Sequence, residues 1–155
     1  MEQVEPPAIE LHGVDFWDFR GSTLAASGHS HRVYYLRESG ETDASQVAVL
    51  FPSHRHGLAN RWSGEMLLDA PIVHGNPLEQ RADGSGGLRL TSAAGDQATT
   101  ARGRLRGQEQ VASGSDPVHI WGRGYDLHAP RFRLDLRRDR LQLGAAHLIV
   151  AADLR

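Results

Sequence analysis

Residues 124–136 read GYDLHAPRFRLDL, with Phe132, Leu134 and Leu136 alternating with Arg131, Arg133 and Asp135. Successive side chains of an extended strand point to opposite faces, so this spacing makes one apolar and one wet face. The period is two rather than 3.6, which predicts a half-buried strand and not a helix. If the segment is one copy of a recurring unit, it decides the fold of the whole chain.

The same alternation recurs on both sides. Val14 and Phe16 keep one parity, as do Val47, Val49 and Phe51, and Trp62, Met66, Leu68 and Ala70. Leu88 with Leu90, Val118 with Ile120, and Leu141 with Leu143 do likewise. Turn residues separate these runs: Gly13, Gly21, Gly28, ESGET (38–42), HGN (74–76), ADGSGG (82–87), AAGD (93–96), SGSDP (113–117), GRG (122–124) and Gly144. Short alternating runs between regular turns predict an all-β chain. Glycine interrupts most helical windows, and AAHLIVAADLR (145–155) reads as a strand with a frayed end.

A weak repeat runs through the turns. GYDLHA (124–129) and GSTLAA (21–26) share G-x-x-L-x-A, and GDQATTA (95–101) is a looser version with Ala98 in the Leu place. LDAP (68–71) and LHAP (127–130) share L-x-A-P. Leu88 and Val118, and Gly95 and Gly124, point to a period of about 29–30 residues, read as two or three strands per unit. Units of that length cannot close a core alone and stack on their neighbours.

The 155 residues suit one β domain, residues 8–155, after a short linker, residues 1–7. Hydrophobic residues are 39% and charged residues 23%, a balance that fits a thin, extended sheet. The net charge of −2 provides no basic field for nucleic acid, and all 17 cations are Arg. With no cysteine, disulfides, thiol nucleophiles and cysteine metal sites are excluded. No run approaches the ~18 apolar residues of a spanning helix. The acidic start MEQVEPPAIE carries no secretion signal and reads as a linker downstream of an anchor or signal outside this sequence.

The order of these elements resembles a known family. GVDFWDFRGSTLAASGHSHRVYYLRESGETDASQVAVLFP (13–52) is similar to the opening of LptC-type proteins of lipopolysaccharide export. A short strand leads to a G-x-x-L-x-A strand, an aromatic strand, a polar turn and an apolar strand. GGLRLTSAAGDQATTARGRLRGQEQVASGSDPVHIWGRGYDLHAPRFRLDLRRDRLQLG (86–144) resembles the shared LptA/LptC (OstA-like) domain. The resemblance covers residues 8 to 150, while FPSHRHGLANRWSG (51–64) is a longer, His-containing connection than the family pattern has. It implies a folded-over antiparallel β-sheet, a β-taco or β-jellyroll, that holds acyl chains in an apolar groove without enzyme activity, cofactor or metal. The implied ligand is lipopolysaccharide or a related lipid. The implied partners, met by edge-strand pairing, are an LptA-like periplasmic bridge protein and the inner-membrane export transporter. The implied location is the periplasm, anchored to the inner membrane.

Physical chemistry is compatible with that job. A partly closed sheet leaves an apolar trough between two layers, and covering acyl methylenes yields about 0.8 kcal/mol per CH₂. On this reading Leu24, Val33, Tyr35, Val47, Val49, Phe51, Met66, Leu68, Val118, Ile120, Leu127, Phe132, Leu134, Leu136, Leu141 and Leu143 line the groove. Arg131, Arg133 and Arg137 face outward.

Two other readings compete. The pairs His29/His31 and His54/His56 are H-x-H motifs, and residues i and i+2 of a strand share a face, so a cupin-like metal protein is the alternative. No glutamate follows either pair at cupin spacing, and SHRHG (53–57) also reads as a surface loop. The other reading is a secreted structural or adhesive β-repeat module. No G-x-S-x-G elbow occurs, and ASGSD (112–116) reads as a hairpin turn. Asp15 and Asp18 are a carboxylate pair whose spacing alone places nothing across a sugar. Trp17, Trp62 and Trp121 are rim or interfacial aromatics on this reading.

Overall fold

A computed structural model describes residues 8–52, 65–135, 138 and 140–150. The linker 1–7, Leu136, Arg137, His54 and His56 lie outside the described residues. All regular structure described is β, in one antiparallel sheet. Four long strands come first: β1 (Ala8–Arg20), β2 (Thr23–Leu36), β3 (Thr42–Phe51) and β4 (Met66–Asn76). Ten short ones follow: β5 (Arg81–Ser85), β6 (Leu88–Ser92), β7 (Gln97–Thr100), β8 (Gly103–Arg106), β9 (Val111–Gly114), β10 (Val118–Gly122), β11 (Tyr125–Ala129), β12 (Phe132–Asp135), β13 (Arg140–Leu143) and β14 (His147–Val150).

The pairing resolves this list into a single up-and-down meander folded along a line. β4 pairs with β6 through residues 66–69 and with β5 through residues 72–76, so β5 and β6 together make one pass across the sheet. β7 with β8, β9 with β10, β11 with β12, and β13 with β14 make the later passes, each broken at the same line. One leaf, leaf A, holds residues 14–20, 23–30, 47–51 and 66–70 of the long strands with β6, β7, β10, β11 and β14. The other, leaf B, holds residues 8–12, 32–36, 42–45 and 72–76 with β5, β8, β9, β12 and β13.

The crease has a local cause. The ladders skip Gly13 opposite His31, His31 opposite Gln46, and Gln46 opposite Pro71, which together form one line across the long strands. Gly13 and Gln46 adopt φ of 62° and 48°, the left-handed region, which turns the strand while keeping it paired on either side. Pro71 has no N–H to donate, so it sits where the ladder is already interrupted. Gly86, φ 86°, continues the line, and a Cβ there would lie 3.2 Å from the Pro71 Cβ. Strand parity flips at this line: even residues up to Ser30 face the same side as odd residues from Val33 in β2. Fold and flip together keep one apolar face inside both leaves. The result is the folded-over sheet, a β-taco, expected from the sequence.

The core rows run across the strands. In leaf A, Phe16, Gly28, Val49, Leu68, Leu90, Ala98, Ile120, Leu127 and Leu148 are successive cross-strand partners. In leaf B, Ile9, Tyr35, Thr42, Gly75, Ala82, Leu105, Ala112, Leu134 and Leu141 form the matching row. Each leaf is about nine strands wide, roughly 38 Å at ~4.8 Å per strand. Gly28 is glycine because the Phe16 ring lies over it and Ala48 O stands 2.6 Å from where a Cβ would go.

The repeat is real in register but larger than two or three strands. Leu88 to Val118 spans β6 to β10, so the unit is four short strands, two in each leaf. Pro71 and Pro130 both stand at the crease, and Leu68 and Leu127 share one row, so the two L-x-A-P segments are equivalent positions. GSTLAA is offset: Leu24 pairs with Phe19 near the hairpin tip, beyond the Leu127 row.

Candidate functional site

The two inner faces bound a trough whose axis runs along the crease. Near the crease it is filled by protein. Leu88 of leaf A packs on leaf B, where Cβ atoms at Gly84 and Gly103 would lie 2.9 and 3.1 Å from its methyl carbons. Val47, Ala70, Val118, Ile120 and Ala129 are buried in leaf A. Farther from the crease a cavity of about 470 Å³ opens between the leaves. Phe19 and Arg20 line it from the tip of β1, and Thr42, Ala44, Val73, Gly75, Ala82 and Leu105 line it from leaf B. The Arg20 Nη2 donates to the Gly107 carbonyl at 3.3 Å, which ties that tip to the turn between β8 and β9. Volumes of about 300–1,000 Å³ are typical of small-molecule sites.

All of the expected groove residues that are described share the inner face. Val47 and Val118 lie in the row beside the crease, and Val49, Leu68, Ile120 and Leu127 in the next. Phe51 pairs with Met66, while Leu24 lies near the tip. Across the crease, Val33, Phe132 and Leu143 occupy one row and Tyr35, Leu134 and Leu141 the next. Arg133 belongs to the opposite face, opposite Ser113 and Gln142. The ends of the trough are strand edges, and there inner-face apolar side chains stay exposed: Leu11 46% and Phe19 59% on β1, Leu141 44% on β13, Leu148 56% on β14.

Buried polar groups hold the sheet at the crease and at its turns. Ser30 is buried beside the crease, and its hydroxyl lies 3.0 Å from both the Arg32 and Ser45 carbonyls. Asp96 is buried at the β6–β7 turn, where its N–H donates to the Ser92 Oγ at 3.1 Å. Asn76 caps the β4–β5 turn: its Oδ1 accepts from the Leu78 and Glu79 N–H groups, and its Nδ2 donates to the Ser39 carbonyl at 2.9 Å.

The outer faces mix charge with exposed apolar groups: Trp17, Leu67 and Ile149 on leaf A and Tyr34 and Ile72 on leaf B are exposed there. On leaf B, His74 faces Asp43 at 2.6 Å and Glu41 at 3.1 Å, and Arg104 pairs with Asp83 at 2.8 Å. The hydrogen bond to Asp43 raises the His74 pKa above its ordinary value. Arg102 grips Asp116 with Nε and Nη2 and holds that carboxyl below the usual range. Exposed pairs contribute only about 0–1 kcal/mol each, so they keep this face wet rather than hold the fold.

Among the histidines singled out by sequence, His29 turns to Asp15 at 2.8 Å and His31 stands exposed at the crease. Among the described residues, the one group of three His or carboxylate side chains with ligand atoms close enough for a shared ion is instead His119, Asp126 and His128. Sequence reading passed over it because the three meet only across the β10–β11 hairpin, where His119 is the partner of His128. The wet-parity positions of VHIWG and YDLHA on either side of GRG were the available signal. No protein-family model matches the chain, and no curated protein matches it.

Proposed function

We propose that the chain is a lipid-binding and transfer domain of the LptC/LptA type, holding acyl chains of lipopolysaccharide or a related lipid between its leaves. The observation that carries this reading is the run of apolar inner-face residues out to both open ends, from Leu11 and Phe19 to Leu141 and Leu148. A closed core would bury these positions. An open trough presents them to a ligand or to the matching trough of a neighbour. Covering methylenes at about 0.8 kcal/mol each binds a chain firmly without specific contacts, and about 470 Å³ beside Ala44, Ala82 and Leu105 leaves room for part of one. Among the described residues no strand pairs with the outer edges of β1, β13 and β14, and such edges suit strand addition by a bridge protein and by the membrane transporter, which would extend the trough. The reading places the chain in the periplasm beside the inner membrane and assigns it no bond chemistry.

The test is site-specific photo-crosslinking in cells, with a photoreactive residue at Leu134 or at Arg133, which are adjacent but on opposite faces. Lipid adducts at Leu134 and none at Arg133 are expected. Adducts at neither position, or equally at both, would sink the proposal.

A further inference from the structure

The outer face of leaf A carries a cluster that the lipid reading does not use. β10 and β11 form a hairpin in which His119 lies directly opposite His128 and Trp121 opposite Asp126. The two imidazoles stack with centroids 4.1 Å apart and planes 8° apart. Both turn Nε2 to the same carboxylate oxygen, Asp126 Oδ1, at 3.0 and 2.8 Å. Trp121 stacks on the other side of His119 at 4.3 Å. His147, on β14, is the cross-strand partner of His128. His119, His128 and His147 line one groove of about 740 Å³ beside the crease.

We propose that this cluster is a site for a divalent transition-metal ion, represented by Zn²⁺, with His119, Asp126 and His128 as ligands, and with a fourth position for water or for His147 after its side chain turns inward. The ligand atoms of the first three lie within 4.8 Å of one another. Tetrahedral zinc with bonds of about 2.0–2.1 Å needs donors about 3.3 Å apart, so the two near-parallel rings tilt from their stack to aim both Nε2 atoms at one ion. Binding replaces the two contacts to Asp126: each imidazole must free its Nε2 lone pair for the ion, so a neutral ring that donates from Nε2 transfers that proton through solvent to its Nδ1, and a doubly protonated ring releases its Nε2 proton and keeps the one on Nδ1. Imidazole and carboxylate donors select Zn²⁺, Cu²⁺ and Ni²⁺ over Mg²⁺. A hairpin with a two-residue turn, residues 123–124, pre-positions these three donors independently of the rest of the trough.

The experiment is calorimetric titration of the intact chain with Zn²⁺ and with Mg²⁺, after dialysis against chelator. One Zn²⁺ per chain and no Mg²⁺ is expected. His119→Ala and His128→Ala should each weaken Zn²⁺ binding at least about tenfold, whereas the His29→Ala/His31→Ala double variant should leave it unchanged. A second readout avoids altering the site: in a Trp17→Phe/Trp62→Phe chain, stoichiometric Cu²⁺ should quench the fluorescence of Trp121. Substoichiometric Zn²⁺, equal binding of Mg²⁺, loss through His29 and His31 instead, or unquenched Trp121 would each overturn the proposal.

Discussion

Filling the trough from within separates a lipid site from an ordinary core. Ala82 faces the cavity between Gly75 and Leu105, and the space beside it is part of the 470 Å³ opening. In Ala82→Trp the indole enters that space. A Trp side chain covers roughly 150–250 Å², which at about 25 cal/mol per Å² corresponds to about 4–6 kcal/mol of apolar contact. A displaced acyl chain regains part of this by shifting along the trough and packing on the indole. Taking half as lost gives about 2–3 kcal/mol, or roughly 30–150-fold weaker binding. Because the ring fills space rather than creating a clash with the backbone, the melting temperature should move by no more than about 4 °C. The assay is displacement of a fluorescent acyl probe by purified lipopolysaccharide, run beside thermal melts. Arg133→Trp, with the same ring on the outer face, is the control and should bind like the parent. Equal affinity in Ala82→Trp and parent, with both folded, would refute the assignment of this cavity to the ligand.

Three further outcomes follow from the same packing. Gly28→Ala should cost about 1–3 kcal/mol despite the usual gain of removing a glycine, because the new methyl meets the movable Phe16 ring and the fixed Ala48 carbonyl. Phe16→Ala should therefore rescue it in part, and a urea double-mutant cycle that is additive within about 0.5 kcal/mol would contradict the contact. Ser30→Ala removes a buried hydroxyl that donates to the Arg32 and Ser45 carbonyls and should lower stability by about 1–2 kcal/mol at an unchanged urea m-value; no loss would mean that the crease does not depend on it. His74 has a folded pKa above its ordinary 6.5, raised first by the Asp43 hydrogen bond. Its stabilisation is thus complete below pH 6.5 and is lost as pH rises through the raised value. The melting temperatures of parent and His74→Gln should differ most at pH 6 and converge as the pH rises through the raised value; a gap that widens with pH would reverse the sign.

Much of this architecture was legible in the order of residues. The parity of Phe132 and Leu134 against Arg133 assigned their faces, because a strand alternates whatever it pairs with. The turn glycines Gly95 and Gly124, both at positive φ, marked the repeat, since glycine occupies that region at little cost. Glu79-Gln80 and Glu109-Gln110 are a further repeat mark that reading for glycine overlooked; both Gln residues have φ of 53° at equivalent turns of leaf B.

Other features needed the folded chain. Val33 and Leu24 have opposite parity in one strand yet share the inner face, because the crease at His31 flips the alternation between them. That crease depends on Gln46 taking φ of 48°, a conformation no glutamine announces, and on its alignment with Gly13 and Pro71 across three ladders. The His119–Asp126–His128 cluster likewise exists only through the register of one hairpin. By itself, then, the sequence determined which side chains are apolar together along each strand, since that is a local property of a period-two chain. Only the tertiary structure decided where the sheet folds and which rows meet across the fold, since both depend on partners tens of residues away.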